Sequence, residues 1–304
     1  MEKKITVVIV TYNGASWVKK NMNSLLQSSY PIDIIVVDNA STDQSVALLK
    51  EYKNVHLIES KVNLGFGKAN NIGIDIALKN GSDAVFLLNQ DTWIYENSIA
   101  TMAEILFANP DLGIVSPLHL SPDEVTLDSS FETYYSRFQT GMDSEAVRIV
   151  PFINAAAWLV SKECFQKVGY FDPVFNHYGE DRNFCTRVLF HKFKIGVAKK
   201  AAICHDRIVK LSSKKIELQS EYLVLNQMID CNYSAVSALI LGLKSVIGLP
   251  KFHAKAEGLS KSFTLFYKLL FYYVGLLADY KTIKRIRSNS KKGINGTDIK
   301  SYAK

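Results

Sequence analysis

Two stretches decide the fold of this 304-residue chain: ITVVIVTYNG at residues 5–14 and IIVVDNASTD at residues 34–43. In each, an unbroken aliphatic, largely β-branched run stops abruptly at polar residues. Continuous rather than alternating apolar runs suit strands buried on both faces, as in a parallel sheet. Working outward, Ile5–Val10, Ile32–Val37, Val55–Ile58, Ala84–Leu88 and Gly113–Val115 read as strands. Helical patterns separate them. Val18, Met22, Leu25 and Leu26 recur at helical spacing, and Ser41-Thr42-Asp43-Gln44 reads as a capping box opening a second helix. A third helix follows Gly67 and stops near Gly81; a fourth runs from Glu96 to Ala108. Repeated βαβ units with right-handed crossovers predict an α/β fold, doubly wound about a mostly parallel sheet.

Residues 121–150 break this rhythm with a polar stretch of scattered aromatics. A long segment of that kind reads either as a lid over a site or as a surface excursion. Order returns with NAAAWLVS as a strand, SKECFQKVG as a short capped helix, and a helix opening at Gly179-Glu180-Asp181. A strand-rich stretch, Phe193 to His205, closes the sheet. From about residue 211 the chain reads as mainly helical and basic.

Composition narrows the class. The chain is 48% hydrophobic and 21% charged, which excludes disorder and a small disulfide scaffold. Residues 1–180 carry 13 Lys/Arg against 21 Asp/Glu, a net of −8; residues 181–304 carry 23 against 8, a net of +15. A nucleic-acid binder needs aromatics interleaved with a basic groove, and here the basic tail follows a nearly uncharged apolar segment, so no nucleic-acid partner is expected. Cys164, Cys185, Cys204 and Cys231 form no CxxC pair and sit in apolar contexts, as buried free thiols would in a reducing cytosol. The six-residue run Ile5–Val10 is too short for a signal-peptide core, and the expected location is cytoplasmic.

Ligands of open α/β sheets bind beyond the carboxyl ends of the strands. Those ends here carry Thr11-Tyr12-Asn13-Gly14, Asp38-Asn39-Ala40-Ser41, Asn63 through Asn70, Asn89-Gln90-Asp91 and His205. Asp91 and His205 are the best metal candidates, because an ion beside a diphosphate needs an anionic oxygen and imidazole suits Mn²⁺. Alternatively, Asp91 and Asp38 cap turns and His205 is an ordinary strand-end polar residue. Gly65-Phe66-Gly67-Lys68-Ala69-Asn70 follows the third strand and ends in Asn, which argues against a dinucleotide fingerprint. Glu180 and Asp181 stand at a helix N-terminus, where the dipole is expected to keep both ionised, as a general base requires.

Together, VVIVTYNG, VVDNASTD, NLGFGKANNIG, LLNQD, AAWLVSKECFQKVGYFDPVF and GEDRNFCTR resemble the family 2 glycosyltransferases of GT-A fold. The similarity is to a bacterial rhamnosyl- and galactosyltransferase branch of polysaccharide assembly, and it covers about residues 4–207. The resemblance implies an inverting, metal-dependent transfer of a sugar from a nucleotide-diphosphate donor to a hydroxyl of a glycan or lipid-linked acceptor. It implies a catalytic domain at 1–210, with a nucleotide-binding half at 1–115 and an acceptor half at 116–210, followed by a helical region at 211–304. It places Thr11 and Tyr12 in the nucleotide pocket, Asp38 on the base, and Asn63, Lys68 and Asn70 near nucleotide or diphosphate. Asn89-Gln90-Asp91 occupies the DxD position, with Asp91 and His205 on Mn²⁺ or Mg²⁺ and Asn89 standing where the family has Asp. Asp181 is implied as the base, with Glu180 orienting the acceptor or the helix turn. Trp158 either packs against the acceptor sugar or belongs to the core. Two other functions stay open: a non-catalytic nucleotide-sugar or glycan-binding relative, and a membrane-associated scaffold.

Ala235–Leu249 and Phe263–Ala278 are the most apolar segments. No run reaches the ~18 uninterrupted apolar residues of a spanning helix. The second segment, followed by Lys281, Lys284, Arg285, Arg287, Lys291 and Lys292, reads as an in-plane helix on an anionic membrane surface, peripheral to the inner face. A helical subdomain packed on the core, or forming a homo-oligomer, is the alternative.

Overall fold

A computed structural model of the chain describes residues 3–137, 143–207 and 212–303. Its strands are β1 (Ile5–Thr11), β2 (Ile32–Asp38), β3 (Val55–Glu59), β4 (Ala84–Asn89), β5 (Thr92–Ile94), β6 (Leu112–Leu120), β7 (Val147–Val150), β8 (Ala157–Ser161) and β9 (Lys194–His205). The first helices are α1 (Ala15–Leu26), α2 (Ser45–Leu49), α3 (Phe66–Lys79), α4 (Ser98–Ala108), α5 (Ser129–Tyr135), α6 (Lys162–Val168) and α7 (Glu180–Phe190). The C-terminal helices are α8 (Ser213–Ile229), α9 (Ala235–Glu257), α10 (Leu259–Ala278) and α11 (Tyr280–Lys292), before a 3-10 turn at Ile299–Ala303.

The strands form one sheet in the order β3-β2-β1-β4-β8-β6-β9-β5, with β7 also on β9. β1 is parallel to β2 and β4, and β2 to β3. β8 runs antiparallel to β4 and β6, so the sheet is mixed beyond its first four strands. Both faces are covered, which explains the unbroken apolar runs. Ile5, Val7 and Ile9 pack with α1 and α4 on one face; Val8, Val85 and Leu87 pack with α3, α6 and α7 on the other. Full burial of each such side chain contributes about 1.5–3 kcal/mol. The register sets Thr11 beside Asp38 and Val10 beside Asn89, so three strands finish level and present their polar ends together.

Several expectations change in detail. The Ser41–Gln44 capping box does not form: α2 is five residues long and has no side-chain cap. Ser41 Oγ instead accepts from Asn13 N at 2.9 Å, and the Asp43 carboxylate accepts from Ala15 N and Ser45 N. The motif ties two strand-end loops. The 121–150 stretch is anchored where it is described: Asp128 caps α5, Phe131 is buried against His119, and β7 pairs with β9. Residues 138–142 of that stretch lie outside the described residues. α6 is capped as its sequence predicts, Ser161 Oγ accepting from Cys164 N. All four cysteines are buried free thiols.

The C-terminal helices pack on the sheet domain and on one another. Val224 and Met228 of α8, Val246 of α9, and Leu269 and Tyr273 of α10 share one cluster. Arg287, expected among the headgroup-facing cations, is buried. It donates to the carbonyls of Met228, Asp230 and Tyr233, ending α8 and fixing the turn to α9. The chain then returns to the sheet domain, where Tyr170 N donates to Asn295 O and Asn71 Nδ2 to the Tyr302 hydroxyl. α9 continues through Pro250 rather than stopping before it, and Ala235–Ala254 is long and apolar enough, by length and composition alone, to cross a membrane. That differs from the sequence expectation, which required an uninterrupted run.

Candidate active site

The loops after β1, β2 and β4 are held by side-chain amides. Gln90 Oε1 accepts from Thr11 Oγ1 at 2.8 Å and from Tyr12 N at 2.9 Å, and Gln90 Nε2 donates to Tyr12 O. Asn39 donates to Asn63 Oδ1 and accepts from Leu64 N, joining the loops after β2 and β3. These bonds fix the Tyr12 backbone and leave the residue 46% exposed, free to face a ligand. Asp38 is buried; its Oδ2 accepts from Ser41 N, while its Oδ1 has no partner among the described residues. A buried carboxylate oxygen left in this way costs free energy unless a ligand or water donates to it.

Strand pairing explains the candidate metal pair. Thr92 faces His205 across β5 and β9, and Asp206 N donates to Asp91 O. The side chains follow: His205 Nε2 lies 3.4 Å from Asp91 Oδ1, His205 almost fully buried and Asp91 partly open. Asn89 precedes them on β4, its Oδ1 buried and without a partner among the described residues. An anionic oxygen, an imidazole nitrogen and a neutral amide oxygen fit a divalent ion such as Mn²⁺ or Mg²⁺ that takes its other ligands from phosphate. Among the described residues no three His, Cys, Asp or Glu side chains cluster as a complete protein cage.

Across from this pair stands the N-terminus of α7. Tyr178 and Gly179 both have positive φ, turning the chain sharply into Glu180 and Asp181. The α8 residue Asn226 secures that turn by donating to Gly179 O at 3.0 Å. The helix dipole does not set the ionisation of the two acids as expected. Burial raises the Glu180 carboxyl well above the usual range, and the neighbouring Asp181 charge adds to it. Burial also raises Asp181, opposed by donation from Arg182 N at 2.6 Å. Desolvation outweighs the dipole, because removal from water penalises the charged form of each carboxyl. Gly65 is required nearby: its φ is +81°, and a Cβ there would lie 1.9 Å from Asn176 O.

A cavity of about 510 Å³ joins these elements, lined by Asn89, Asp91, Glu180, Asp181 and His205. Thr11, Tyr12, Asp38, Asn63 and Lys68 lie outside that lining: Thr11 and Asp38 end β1 and β2, Tyr12 and Asn63 stand in the strand-end loops, and Lys68 is in the first turn of α3. Lys68 Nζ reaches Asn176 Oδ1 at 3.5 Å, from the loop before α7. Asn70 is buried, and its amide donates to Phe66 O within the helix. Trp158 is fully buried against Phe171 and Phe184. An acceptor-stacking role therefore gives way to a core one, because β8 is a central strand covered on both faces.

Residues that sequence reasoning missed complete the wall. Asn154, whose Oδ1 is buried and has no partner among the described residues, precedes β8. Arg182 sits over the Phe152 ring at 4.4 Å, and Arg207 donates to Ser130 Oγ. Lys215, Gln219, Leu223 and Asn226 come from α8, beyond every motif in the sequence. Asn154, Arg182 and Arg207 had a signal: Asn154 opens the NAAAWLVS strand segment, Arg182 follows Asp181 in GEDRNFCTR, and Arg207 stands two residues after His205.

Residues 6–169 match the family profile described as Glycosyl transferase family 2. The chain is 28% identical over 237 residues to the dTDP-rhamnosyl transferase RfbF of Shigella flexneri, covering 72% of this chain and 76% of that one. It is 26% identical to the N-acetylglucosaminyl-diphospho-decaprenol L-rhamnosyltransferase of Mycobacterium tuberculosis, covering 62% and 71%. Among solved structures, the mannosyltransferase PcManGT from Pyrobaculum calidifontis, in complex with GDP-Man and Mn²⁺, superposes with a TM-score of 0.62 over 99% of this chain and 85% of its own, at 15% identity. TarS 1–349 of S. aureus in complex with UDP-GlcNAc gives 0.59 over 98% and 89%, at 16% identity. At these identities the structural likeness speaks for the fold, α/β of GT-A type with a C-terminal helical region.

Proposed function

The chain belongs to glycosyl transferase family 2 and moves a sugar from a nucleotide-sugar donor, and on that premise we propose an inverting transfer to a hydroxyl of a glycan or lipid-linked acceptor in cell-surface polysaccharide assembly. One observation carries the reading: the Asp91–His205 pair and the Asp181 carboxyl line the same cavity. A donor diphosphate bound on one side would set the anomeric carbon between them. The names of the rhamnosyltransferase relatives support a hexose or deoxyhexose donor and a lipid-linked acceptor.

In this reading Tyr12 and Thr11 hold the nucleoside, and the unpartnered Asp38 Oδ1 accepts an N–H of its base. Asn89, Asp91 and His205 would hold a divalent ion, which when bound supplies positive charge that stabilises the departing diphosphate. Lys68 adds charge from α3. Asp181 accepts the acceptor hydroxyl proton as that oxygen attacks from the face opposite the diphosphate. Glu180, held protonated by burial, positions the turn without competing for that proton. α8 forms one wall of the cavity beside the two acids.

The test is a thermal-shift panel of UDP-, dTDP- and GDP-sugars with Mn²⁺ or with a chelator. Stabilisation follows ligand affinity by mass action. One nucleotide class should stabilise the protein, more strongly with Mn²⁺. Equal melting with every donor would overturn the reading.

A further inference from the structure

Among the described residues, twelve of the eighteen exposed large hydrophobic side chains lie between Tyr233 and Leu277. That concentration marks one surface, because soluble chains scatter such residues singly. On α9 the exposed residues are Val236, Ile240, Leu243 and Ile247, spaced i, i+4, i+7 and i+11 along one stripe. On α10 they are Phe263, Tyr267, Phe271 and Val274 at a similar spacing, Phe271 being 76% exposed. The opposite sides of both helices pack on α8, so the stripes face away from the protein. Phe252 and Leu259 extend the apolar surface around the hairpin between the two helices.

Charge identifies the occupant. Residues 235–278 hold five lysines and one acid, Glu257. Lys244 and Lys251 are exposed on α9, and α11 adds Lys281, Lys284, Arg285, Lys291 and Lys292 with no acid. A two-fold interface would set this patch against itself and oppose lysine with lysine. An anionic bilayer surface instead accepts both features, attracting the lysines and burying the stripes at headgroup depth. We propose that the α9–α10 hairpin docks in the plane of an anionic membrane, seating the catalytic cavity near the surface. Spanning would strip α9 from α8, where Ala238 and Val246 are buried and Gly242 closes on Met228. The inference stands independently of the sugar-transfer reading.

The experiment is flotation of the full chain with phosphatidylcholine vesicles, with and without phosphatidylglycerol. The protein should float with the anionic vesicles and be released by alkaline carbonate. The double variant Ile247→Glu with Phe271→Glu should lower the floated fraction at least about fivefold, and Lys244→Glu with Lys251→Glu by a similar factor. Each variant should keep its Tm and its donor-induced thermal shift, which separates docking from donor binding. Should the glutamates lower Tm, Ile247→Ser with Phe271→Ser takes their place. The proposal falls if the wild type does not float, if the apolar variants float like it, or if carbonate fails to release it. It also falls if light scattering without vesicles finds a dimer that the apolar variants dissociate, which would assign the face to a second copy.

Discussion

His205 Nε2 approaches Asp91 Oδ1 to 3.4 Å because Thr92 and His205 are paired across β5 and β9. A three-residue strand thus delivers both candidate ligands to one edge of the cavity. Asp91→Ala or His205→Ala should abolish the Mn²⁺-dependent part of donor stabilisation while leaving the apo Tm within about 2 °C. Adding chelator to the wild type should reproduce the loss. Isothermal titration of Mn²⁺ in the presence of nucleoside diphosphate checks both.

Asp181→Asn keeps the shape of the α7 turn and removes the carboxylate proposed as the base. Turnover should fall by at least ~100-fold, the low end for general-base catalysis, with donor binding unchanged. A steady-state assay beside a donor thermal shift separates the two. Near-normal turnover would remove Asp181 from the mechanism.

Because burial raises both acids, the pH profile should be displaced. Asp181 accepts a proton only when ionised, so kcat should rise with pH through its raised value and then level off. The acid limb should lie above the ordinary Asp value of 3.8. A limb at or below that value would mean the acids are solvated in the working enzyme.

Glu180 makes an opposite demand on stability. Its folded-state value is raised, so its contribution is complete below the ordinary 4.5 and is lost as pH rises through the folded value. Glu180→Gln removes that loss. The variant should gain Tm relative to wild type from about pH 5 upward and show little difference below pH 4, as melting curves across pH would record.

Arg287 and Lys284 lie three residues apart on α11 yet should behave differently. Arg287→Ala deprives two buried carbonyls and one part-buried carbonyl of a charged donor and should cost about 3 kcal/mol or more. Lys284→Ala, exposed, should fall within about 0.5 kcal/mol of wild type. Urea denaturation measures both.

The strands β1 to β4 were legible because parallel burial leaves a signature in every residue of the run. Rim residues such as Asp38, Asp91 and His205 were legible because they stand at or just beyond the carboxyl ends of apolar runs, those of β2, β4 and β9. β5 was not, since three residues carry no period, and its partner lies far along the chain. Trp158 shows the limit of composition: one aromatic beside a catalytic motif reads equally as platform or core until both sheet faces are seen covered. The Ser41–Gln44 motif had the spacing of a cap, but the backbone N–H groups of Asn13 and Ala15 took its side-chain acceptors, Ser41 Oγ and the Asp43 carboxylate. The α8 wall left no local trace. Lys215, Gln219 and Asn226 acquire their role from packing against the α7 turn.

Gly65 and Asn176 share a clearance too small for a single methyl group. The loop entering α3 and the loop entering α7 are therefore complementary surfaces, shaped against each other as tightly as two halves of a core. Exchanging donor preference by grafting the 63–70 segment alone from another transferase would bring a foreign contour against the Asn176 carbonyl. Such chimaeras should succeed only when segments 63–70 and 172–181 are transplanted as one cassette.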